Sequence, residues 1–205
     1  MTDKRVVPSN WNLPNALTTL RIVMVPFFGW ALLVDGGDSV TWRLVAWGLF
    51  VAAMITDKID GDIARSRDLV TDFGKIADPI ADKALTGMAF VGLSLIGELW
   101  WWVTALVLLR EWGITLLRLW VIRYGVMAAG RGGKLKTVLQ TVALGGLILP
   151  LKLLDGPWAT AGLVLWWVAV VVMAAAVALT VVTGVDYVLK AIGVRRKGRA
   201  GVDAR

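Results

Sequence analysis

Between two apolar segments, the chain reads DKIDGDIARSRDLVTDFGKIADPIAD from Asp57 to Asp82. This stretch holds seven of the fifteen acidic residues of the protein. Asp57 and Asp60 are spaced i, i+3, and Asp78 and Asp82 are spaced i, i+4, so each pair lies on one face of a predicted helix. The joint between the two helices is short, which makes them antiparallel neighbours. The sequence therefore predicts that four carboxylates converge.

The rest of the sequence is too apolar for a soluble domain. Hydrophobic residues make up 58% of the 205 residues and the mean hydropathy is +0.71, whereas soluble domains are roughly 45–50% apolar. Runs of about 20 apolar residues are long enough to cross a bilayer. We therefore expect an all-α, polytopic membrane protein with six transmembrane helices. The predicted helices cover residues 13–34, 40–65, 75–97, 99–124, 136–153 and 158–183.

The basic residues indicate the orientation of these helices. They cluster before the first helix, in two of the joints and in the C-terminal tail, whereas only Arg43 and Lys152 lie near the other side. By the positive-inside rule both termini and the acidic stretch are cytoplasmic, which requires an even number of spans. We expect a cell-membrane protein with an interfacial segment at residues 1–12, a six-helix catalytic domain at 13–189 and a basic cytoplasmic tail at 190–205.

Composition excludes several kinds of chemistry. The chain has no Cys and no His, which excludes disulfides, thiolate nucleophiles and the commonest general base. The net charge of +7, in a chain this apolar, favours anionic membrane lipids and phosphorylated substrates as partners and not nucleic acid. Four uncompensated carboxylates would repel one another, whereas Mg2+ or Mn2+ needs oxygen ligands of this kind. Two such ions would suit phosphoryl transfer.

Two other interpretations of the acidic stretch stay open. A salt-bridged cytoplasmic loop accounts for the acidic residues that lie between the two phased pairs, but it accounts poorly for the phasing. A divalent-cation channel or transporter would need acidic residues near mid-membrane on several helices. Here the acidic residues crowd one cytoplasmic joint, which favours an enzyme.

The same stretch resembles the signature of the CDP-alcohol phosphotransferase family, D-x2-D-G-x2-A-R-x8-G-x3-D-x3-D. The resemblance implies a six-helix membrane fold, commonly a homodimer, with two Mg2+ or Mn2+ ions. It implies that Asp57, Asp60 and Asp78 bind the ions, and that Asp82, the fourth carboxylate of the metal site, accepts a proton. All eight fixed positions of the signature match: Asp57, Asp60, Gly61, Ala64, Arg65, Gly74, Asp78 and Asp82.

The resemblance also assigns residues to the CDP-activated lipid. Gly61, Arg65 and Thr71 would contact the CDP moiety, and an Arg can direct two donors onto a phosphate. A hydroxyl just after a loop is also typical of a helix N-cap, which is the alternative for Thr71. Asn15 and Thr18 lie in a segment that resembles one branch of the family, the phosphatidylglycerophosphate synthases. We expect these two residues to bind CDP-diacylglycerol as well.

Resemblance to that branch implies that the acceptor is sn-glycerol 3-phosphate and the products are phosphatidylglycerol phosphate and CMP. The phosphate of this acceptor needs cations for its recognition. Arg110 and Arg118 lie two helical turns apart on one face of the fourth helix. Lys134 and Lys136 begin the fifth helix, where they serve the same phosphate or only signal topology. Glu111 is expected to pair with an Arg and fix its rotamer. A cardiolipin synthase or phosphatidylinositol-phosphate synthase would share the donor site and differ in the acceptor.

Overall fold

The computed structural model describes residues 12–67, 69, 71–121 and 132–203, without the side chains of 118–119, 121, 132 and 194–203. Within these ranges the chain forms α-helices, short 3-10 turns and connecting loops, and the predicted all-α fold is confirmed. Each α-helix is 17 residues or longer. The helices are α1 Leu13–Leu33, α2 Val40–Ser66, α3 Asp72–Leu95, α4 Trp101–Val121, α5 Gly132–Ile148 and α6 Ala159–Asp203.

Several helix ends differ from those expected from the sequence, among them the start of α5, which is Gly132 and not 136, and three of them have a clear physical reason. Helix α3 begins at Asp72 and not at 75, because the Thr71 side chain caps its first turn. Helix α5 ends at Ile148 and not at 153, since Pro150 disfavours helical backbone in the residue before it. The sixth helix was expected to end at 183, but α6 continues to Asp203 without an interrupting proline.

Four segments are long and apolar enough to cross a membrane. They are Leu13–Gly37, Val40–Ser66, Gly133–Leu153 and Gly156–Gly193. Helices α3 and α4 have the length of a span, but both carry charged side chains that lower their hydropathy. The structure therefore confirms a helical protein with several potential membrane spans, while the count of six stays a prediction. The charged residues are Asp72, Lys75, Asp78, Asp82 and Lys83 in α3, and Arg110, Glu111 and Arg118 in α4.

The helices form two compact units. The first contains α1, α2 and α3 together with Ile148–Asp155, and the second contains α4, α5 as far as Leu147, and α6. In the first unit α1 packs against both α2 and α3, and in the second α4 packs against α6. A Cβ added to Gly92 of α3 would lie 2.6 Å from Cδ2 of Leu32. Gly92 therefore packs directly against the Leu32 side chain of α1, and a larger residue at this position would require Leu32 to move.

One buried stripe of α1 changes character along the helix. Its members recur every three or four residues, which is the spacing of one helix face. The N-terminal half of this stripe is polar, and the C-terminal half is apolar. The polar members are Asn15, Thr18 and Arg21, and the apolar members are Val25, Phe28 and Leu32. The polar half of α1 faces the acidic residues of α2 and α3.

A buried ion cluster closes the opposite end of the first unit. Arg43 of α2 is 2% exposed, and its guanidinium donates hydrogen bonds to the carbonyl oxygens of Ile148 and Leu149. Glu98 forms ion pairs with Arg43 at 3.4 Å and with Lys152 at 3.0 Å. The two basic residues that the sequence places away from the acidic stretch therefore share one carboxylate.

Candidate active site

The guanidinium of Arg21 joins two of the signature aspartates. Its Nη1 donates to Oδ1 of Asp57 at 2.5 Å, and its Nη2 donates to Oδ2 of Asp60. The Arg21 and Asp60 side chains are buried, whereas the Asp57 side chain is 46% exposed. One turn of α2 separates the two carboxylates, so a single planar cation on α1 reaches both. The Asp57 end of the pair faces the outside of the unit.

The hydroxyl of Thr18 joins the third aspartate to this pair. It donates to Oδ1 of Asp78 at 2.5 Å, and it lies 3.5 Å from Oδ2 of Asp60. Asp60 is on α2 and Asp78 is on α3, while Thr18 is on α1. Side chains of α1 thus connect Asp57, Asp60 and Asp78 within one unit.

Thr71 and Asn15 form the neighbouring polar group. The Thr71 hydroxyl donates to Oδ1 of Asn15 at 3.0 Å and accepts from the backbone N–H of Gly74 at 3.1 Å. Thr71 is therefore the N-cap of α3, and its contact with the CDP moiety stays a prediction. A Cβ on Gly74 would lie 3.0 Å from Oδ1 of Asn15 and 3.9 Å from Oδ2 of Asp78. The signature glycine thus keeps the space between Asn15 and Asp78 open.

The remaining donor-site residues are more exposed. Arg65 lies at the end of α2, where it forms an exposed ion pair with Asp62 at 2.9 Å. A Cβ on Gly61 would lie 3.1 Å from Nη2 of Arg65, so the absence of a side chain allows the guanidinium to fold back over the helix. Asp82 is exposed on α3, and its backbone carbonyl accepts the hydroxyl of Thr86.

The donor set can be compared with the needs of a divalent cation. Carboxylate and hydroxyl oxygens are hard ligands, which suit Mg2+ or Mn2+. In the described part of the chain, no three acidic side chains stand close enough to enclose an ion by themselves. Arg21 lies between Asp57 and Asp60, and Thr18 lies between Asp60 and Asp78, because bare carboxylates at such spacing would repel. The residues fit a hard cation in chemistry, and Asp57 and Asp60 each have one oxygen that Arg21 does not use.

The second unit contains a separate charged cluster around Glu111. The Glu111 carboxylate pairs with Arg110 at 3.0 Å and with Lys136. Arg110 also donates to the hydroxyl of Thr183 at 2.9 Å, and its guanidinium carbon lies 5.9 Å from the ring centre of Tyr187. The expected pairing of Glu111 with an Arg is confirmed. Two of the four expected acceptor residues thus share one carboxylate.

Of the other two expected acceptor residues, only Lys134 has a described side chain, and it lies outside this cluster. Lys134 is exposed near the start of α5, whereas Lys136 is only 5% exposed. Arg118 lies on α4, but its side chain falls outside the described residues.

Arg21 is the site residue to which sequence reasoning assigned no role. It lies three residues after Thr18 and six after Asn15, on the same predicted helix face. An ionisable residue inside an apolar span generally faces a partner and not lipid. That signal was available in the sequence and marks Arg21 as a buried site residue, although it does not identify Asp57 and Asp60 as its partners.

Comparison with known proteins identifies the family. The model of the CDP-alcohol phosphatidyltransferase family matches residues 11–182, which include α1, α2, α3 and the signature. The chain belongs to the CDP-alcohol phosphatidyltransferase family. The match covers all three aspartates joined through α1 as well as Arg110, Glu111 and Lys136. The resemblance of the acidic stretch to this family is therefore confirmed.

Several curated relatives within the CDP-alcohol phosphatidyltransferase family align over most of their length. A probable phosphatidylglycerophosphate synthase of Mycobacterium tuberculosis H37Rv is 55% identical over 181 residues, which is 88% of this chain and 82% of the relative. The CDP-diacylglycerol–glycerol-3-phosphate 3-phosphatidyltransferase of Bacillus subtilis is 37% identical over 193 residues, 88% of this chain and 95% of the relative. The Escherichia coli K12 enzyme of the same name is 38% identical over 147 residues, which is 67% of this chain and 77% of the relative.

Proposed function

We propose that the protein transfers a phosphatidyl group from CDP-diacylglycerol to sn-glycerol 3-phosphate, giving phosphatidylglycerol phosphate and CMP in phospholipid biosynthesis. The observation that carries the proposal is the match to relatives named for this reaction at 37% and 55% identity over 88% of the chain. The chain also retains every fixed position of the family signature. Three of its four aspartates are joined through α1.

The proposal includes the placement of the enzyme in the cell membrane. All six helices cross the bilayer, with both termini and the aspartates at the cytoplasmic face, and the enzyme is a homodimer in contact with anionic lipids. Helix α3 has 24 residues and α4 has 21, which correspond to about 36 and 31 Å, enough for a hydrocarbon core of about 30 Å. Charged residues in these helices then face the protein and not lipid.

The donor site in this proposal is the first unit. Asp57, Asp60 and Asp78 hold two Mg2+ or Mn2+ ions, which when bound neutralise the diphosphate of CDP-diacylglycerol and make its lipid-linked phosphorus open to attack. Arg65 adds a charge-assisted hydrogen bond to the diphosphate. Thr18 fixes Asp60 relative to Asp78 through its hydroxyl.

The residues next to the aspartates contact the rest of the donor. Gly61 and Gly74 carry no side chains, so the CDP moiety can approach the backbone there. Asn15 and Thr71 form a buried hydrogen-bonded pair beside Gly74, and we assign them to the same substrate. Their polar atoms then orient the nucleotide end of CDP-diacylglycerol.

The transfer step follows from these roles. Asp82 accepts the proton of a glycerol 3-phosphate hydroxyl as its oxygen attacks the phosphorus that carries the diacylglycerol group. A new P–O bond forms to glycerol 3-phosphate, and the P–O bond to CMP breaks. CMP leaves with both electrons of that bond, so atoms and charges balance without a further reactant.

The phosphate of the acceptor is assigned to Arg110, Arg118, Lys134 and Lys136. Support comes from the Glu111 cluster, in which Arg110 and Lys136 are held with little exposure by one carboxylate. Two cations around one anion leave a net positive charge, which favours an anionic ligand. Glu111 is a positioning residue in this scheme, because it holds the two side chains without contacting substrate.

Acceptor choice is the experiment that tests the proposal. Purified protein is given radiolabelled CDP-diacylglycerol, Mg2+ and one acceptor at a time: glycerol 3-phosphate, inositol phosphate, serine or phosphatidylglycerol. We expect CMP release with glycerol 3-phosphate alone. Release with phosphatidylglycerol would indicate a cardiolipin synthase, and release with inositol phosphate would indicate a phosphatidylinositol-phosphate synthase.

A further inference from the structure

Arg21 is a buried cation held by two carboxylates. Its side chain is 0% exposed, and the partners of its two terminal nitrogens are Asp57 and Asp60. Its Nε is buried without a hydrogen-bond partner among the described residues. Burial of an ion is costly unless its charge is compensated, and the hydrogen bonding of this guanidinium is incomplete. The feature that Arg21 contributes here is therefore its charge.

The positive charge of Arg21 also stabilises the two carboxylates. Asp57 and Asp60 lie one turn apart on α2, and like charges at that spacing destabilise a helix. With Arg21 between them, the group of three carries a net charge of −1 in place of −2. Arg21 uses Oδ1 of Asp57 and Oδ2 of Asp60, so a second oxygen of each carboxylate lies outside this contact.

We propose that Arg21 is a built-in counter-ion of the metal site: it neutralises and orients Asp57 and Asp60 while no divalent cation is bound. The fold of the first unit then does not depend on metal, and the carboxylates keep their positions between catalytic cycles. This inference rests on the metal site of the proposed function. Arg21 is a positioning residue, since it acts through the two aspartates.

Removal of the charge should make the stability of the protein depend on metal. In Arg21→Gln the metal-free protein holds two adjacent carboxylates without a counter-ion, and a bound Mg2+ replaces the missing charge. A ligand that binds the folded state stabilises it, and the gain grows with affinity. A purely structural role of Arg21 would instead lower stability equally with and without Mg2+.

The experiment compares thermal unfolding of the full-length protein in detergent, with EDTA and with saturating Mg2+, followed by tryptophan fluorescence. We expect the difference in Tm between the two conditions to be larger in Arg21→Gln than in the wild type by about 5 °C or more. Arg43→Gln is the matched control, because Arg43 is equally buried but pairs with Glu98 at the other end of the unit. It should lower Tm by the same amount in both conditions.

Three outcomes separate this inference from the proposed function. Mn2+ binding to the wild type, measured by electron paramagnetic resonance, establishes the metal site, and a wild type that binds no Mn2+ would overturn both. If the wild type binds Mn2+ but Arg21→Gln lowers Tm relative to the wild type by the same amount in EDTA and in Mg2+, the counter-ion role alone is overturned. If Arg21→Gln cannot be recovered, the charge-balanced Arg21→Gln/Asp57→Asn variant decides: its recovery supports the role, and its loss contradicts it.

Discussion

Thr18 donates its hydroxyl hydrogen to Oδ1 of Asp78 over 2.5 Å, while the same hydroxyl oxygen lies 3.5 Å from Oδ2 of Asp60. A single uncharged side chain of α1 thus stands between aspartates that belong to two other helices. The hydroxyl oxygen also lies 3.0 Å from the carbonyl oxygen of Pro14, one turn earlier in α1. Helix α1 therefore sets the distance between the two halves of the acidic signature.

Thr18→Ala should weaken Mn2+ binding about tenfold or more, since a hydrogen bond to a charged group is worth about 1.5–3 kcal/mol. Thr18→Ser, which keeps the hydroxyl, should stay near the wild type. Thr19→Ala is the control, because Thr19 is an exposed neighbour whose hydroxyl bonds only to a backbone carbonyl in the described structure. Mn2+ titration followed by electron paramagnetic resonance measures all three. Equal affinities of Thr18→Ala and Thr19→Ala would contradict the role of Thr18.

Replacement of Asp57, Asp60 or Asp78 by Ala should abolish CMP release at saturating Mg2+ while the protein still inserts into the membrane. One lost ligand leaves the charge of the diphosphate uncompensated. Asp72→Ala is the matched control from the same acidic stretch. Lys75 donates a hydrogen bond to Asp72 and holds the pKa of this carboxyl below its usual range, so Asp72 is ionised, yet it occupies a variable position of the signature. A near-normal rate in any of the three variants would disprove the assignment of that residue.

Asp82→Asn should separate proton transfer from binding. The amide keeps the size of the side chain and an oxygen atom, but it cannot accept the proton of the attacking hydroxyl. We expect binding of CDP-diacylglycerol to persist while kcat falls roughly 10²–10⁴-fold. Equilibrium binding of the labelled donor and single-turnover transfer give the two values. Parallel losses in both would make Asp82 a ligand only.

The acceptor assignment predicts opposite changes in two KM values. Arg110→Ala, Arg118→Ala, Lys134→Ala and Lys136→Ala should raise KM for glycerol 3-phosphate much more than KM for CDP-diacylglycerol, because a charge-assisted contact to phosphate is worth about 1.5–3 kcal/mol. Arg65→Ala should show the reverse pattern. General damage to folding would instead lower kcat for both substrates together.

Lys190→Ala is the control for this series, since Lys190 pairs with Asp186 on an exposed face of α6. Neither KM should change in it. If only Arg110→Ala and Lys136→Ala raise the acceptor KM, the phosphate is bound by the Glu111 cluster, and Lys134 is a topology signal. If no variant of the series raises it, the acceptor is not an anionic phosphate.

Glu98→Ala should lower stability without changing either KM. It leaves the buried guanidinium of Arg43 without its carboxylate, and loss of one partner from a buried ion pair costs about 3–5 kcal/mol. Asp186→Ala, which breaks an exposed pair, should have an effect of about 0–1 kcal/mol. Thermal unfolding of both variants measures the difference. A loss in Glu98→Ala no larger than in Asp186→Ala would contradict the structural role of the ion cluster.

Much of the site could be predicted from the sequence because its residues follow helical spacing. The separation of Asp57 from Asp60 is enough to place both on one face of α2, and the composition alone excludes Cys and His as ligands. The contact between Arg21 and both carboxylates was not predicted. It depends on the packing of α1 against α2, and local spacing within one helix does not determine which neighbour a face meets.

Helix ends and spans were predicted less well for a different reason. Hydropathy identifies the apolar part of a helix, whereas its end depends on caps and on breaking residues. Thr71 and Pro150 moved two ends by a few residues, and the polar part of α6 continues the helix beyond the apolar segment. Charged side chains lower the hydropathy of α3 and α4, so hydropathy alone does not identify these helices as spans. The same charges make these side chains candidates for function.

The most direct test of the central claim is the incorporation of radiolabelled sn-glycerol 3-phosphate into lipid by the purified protein with CDP-diacylglycerol and Mg2+. The account predicts a labelled phospholipid identified as phosphatidylglycerol phosphate by mass spectrometry, formed one-to-one with CMP and lost in Asp57→Ala. CMP release without label in the lipid fraction, or label in the lipid that persists in Asp57→Ala, would contradict it.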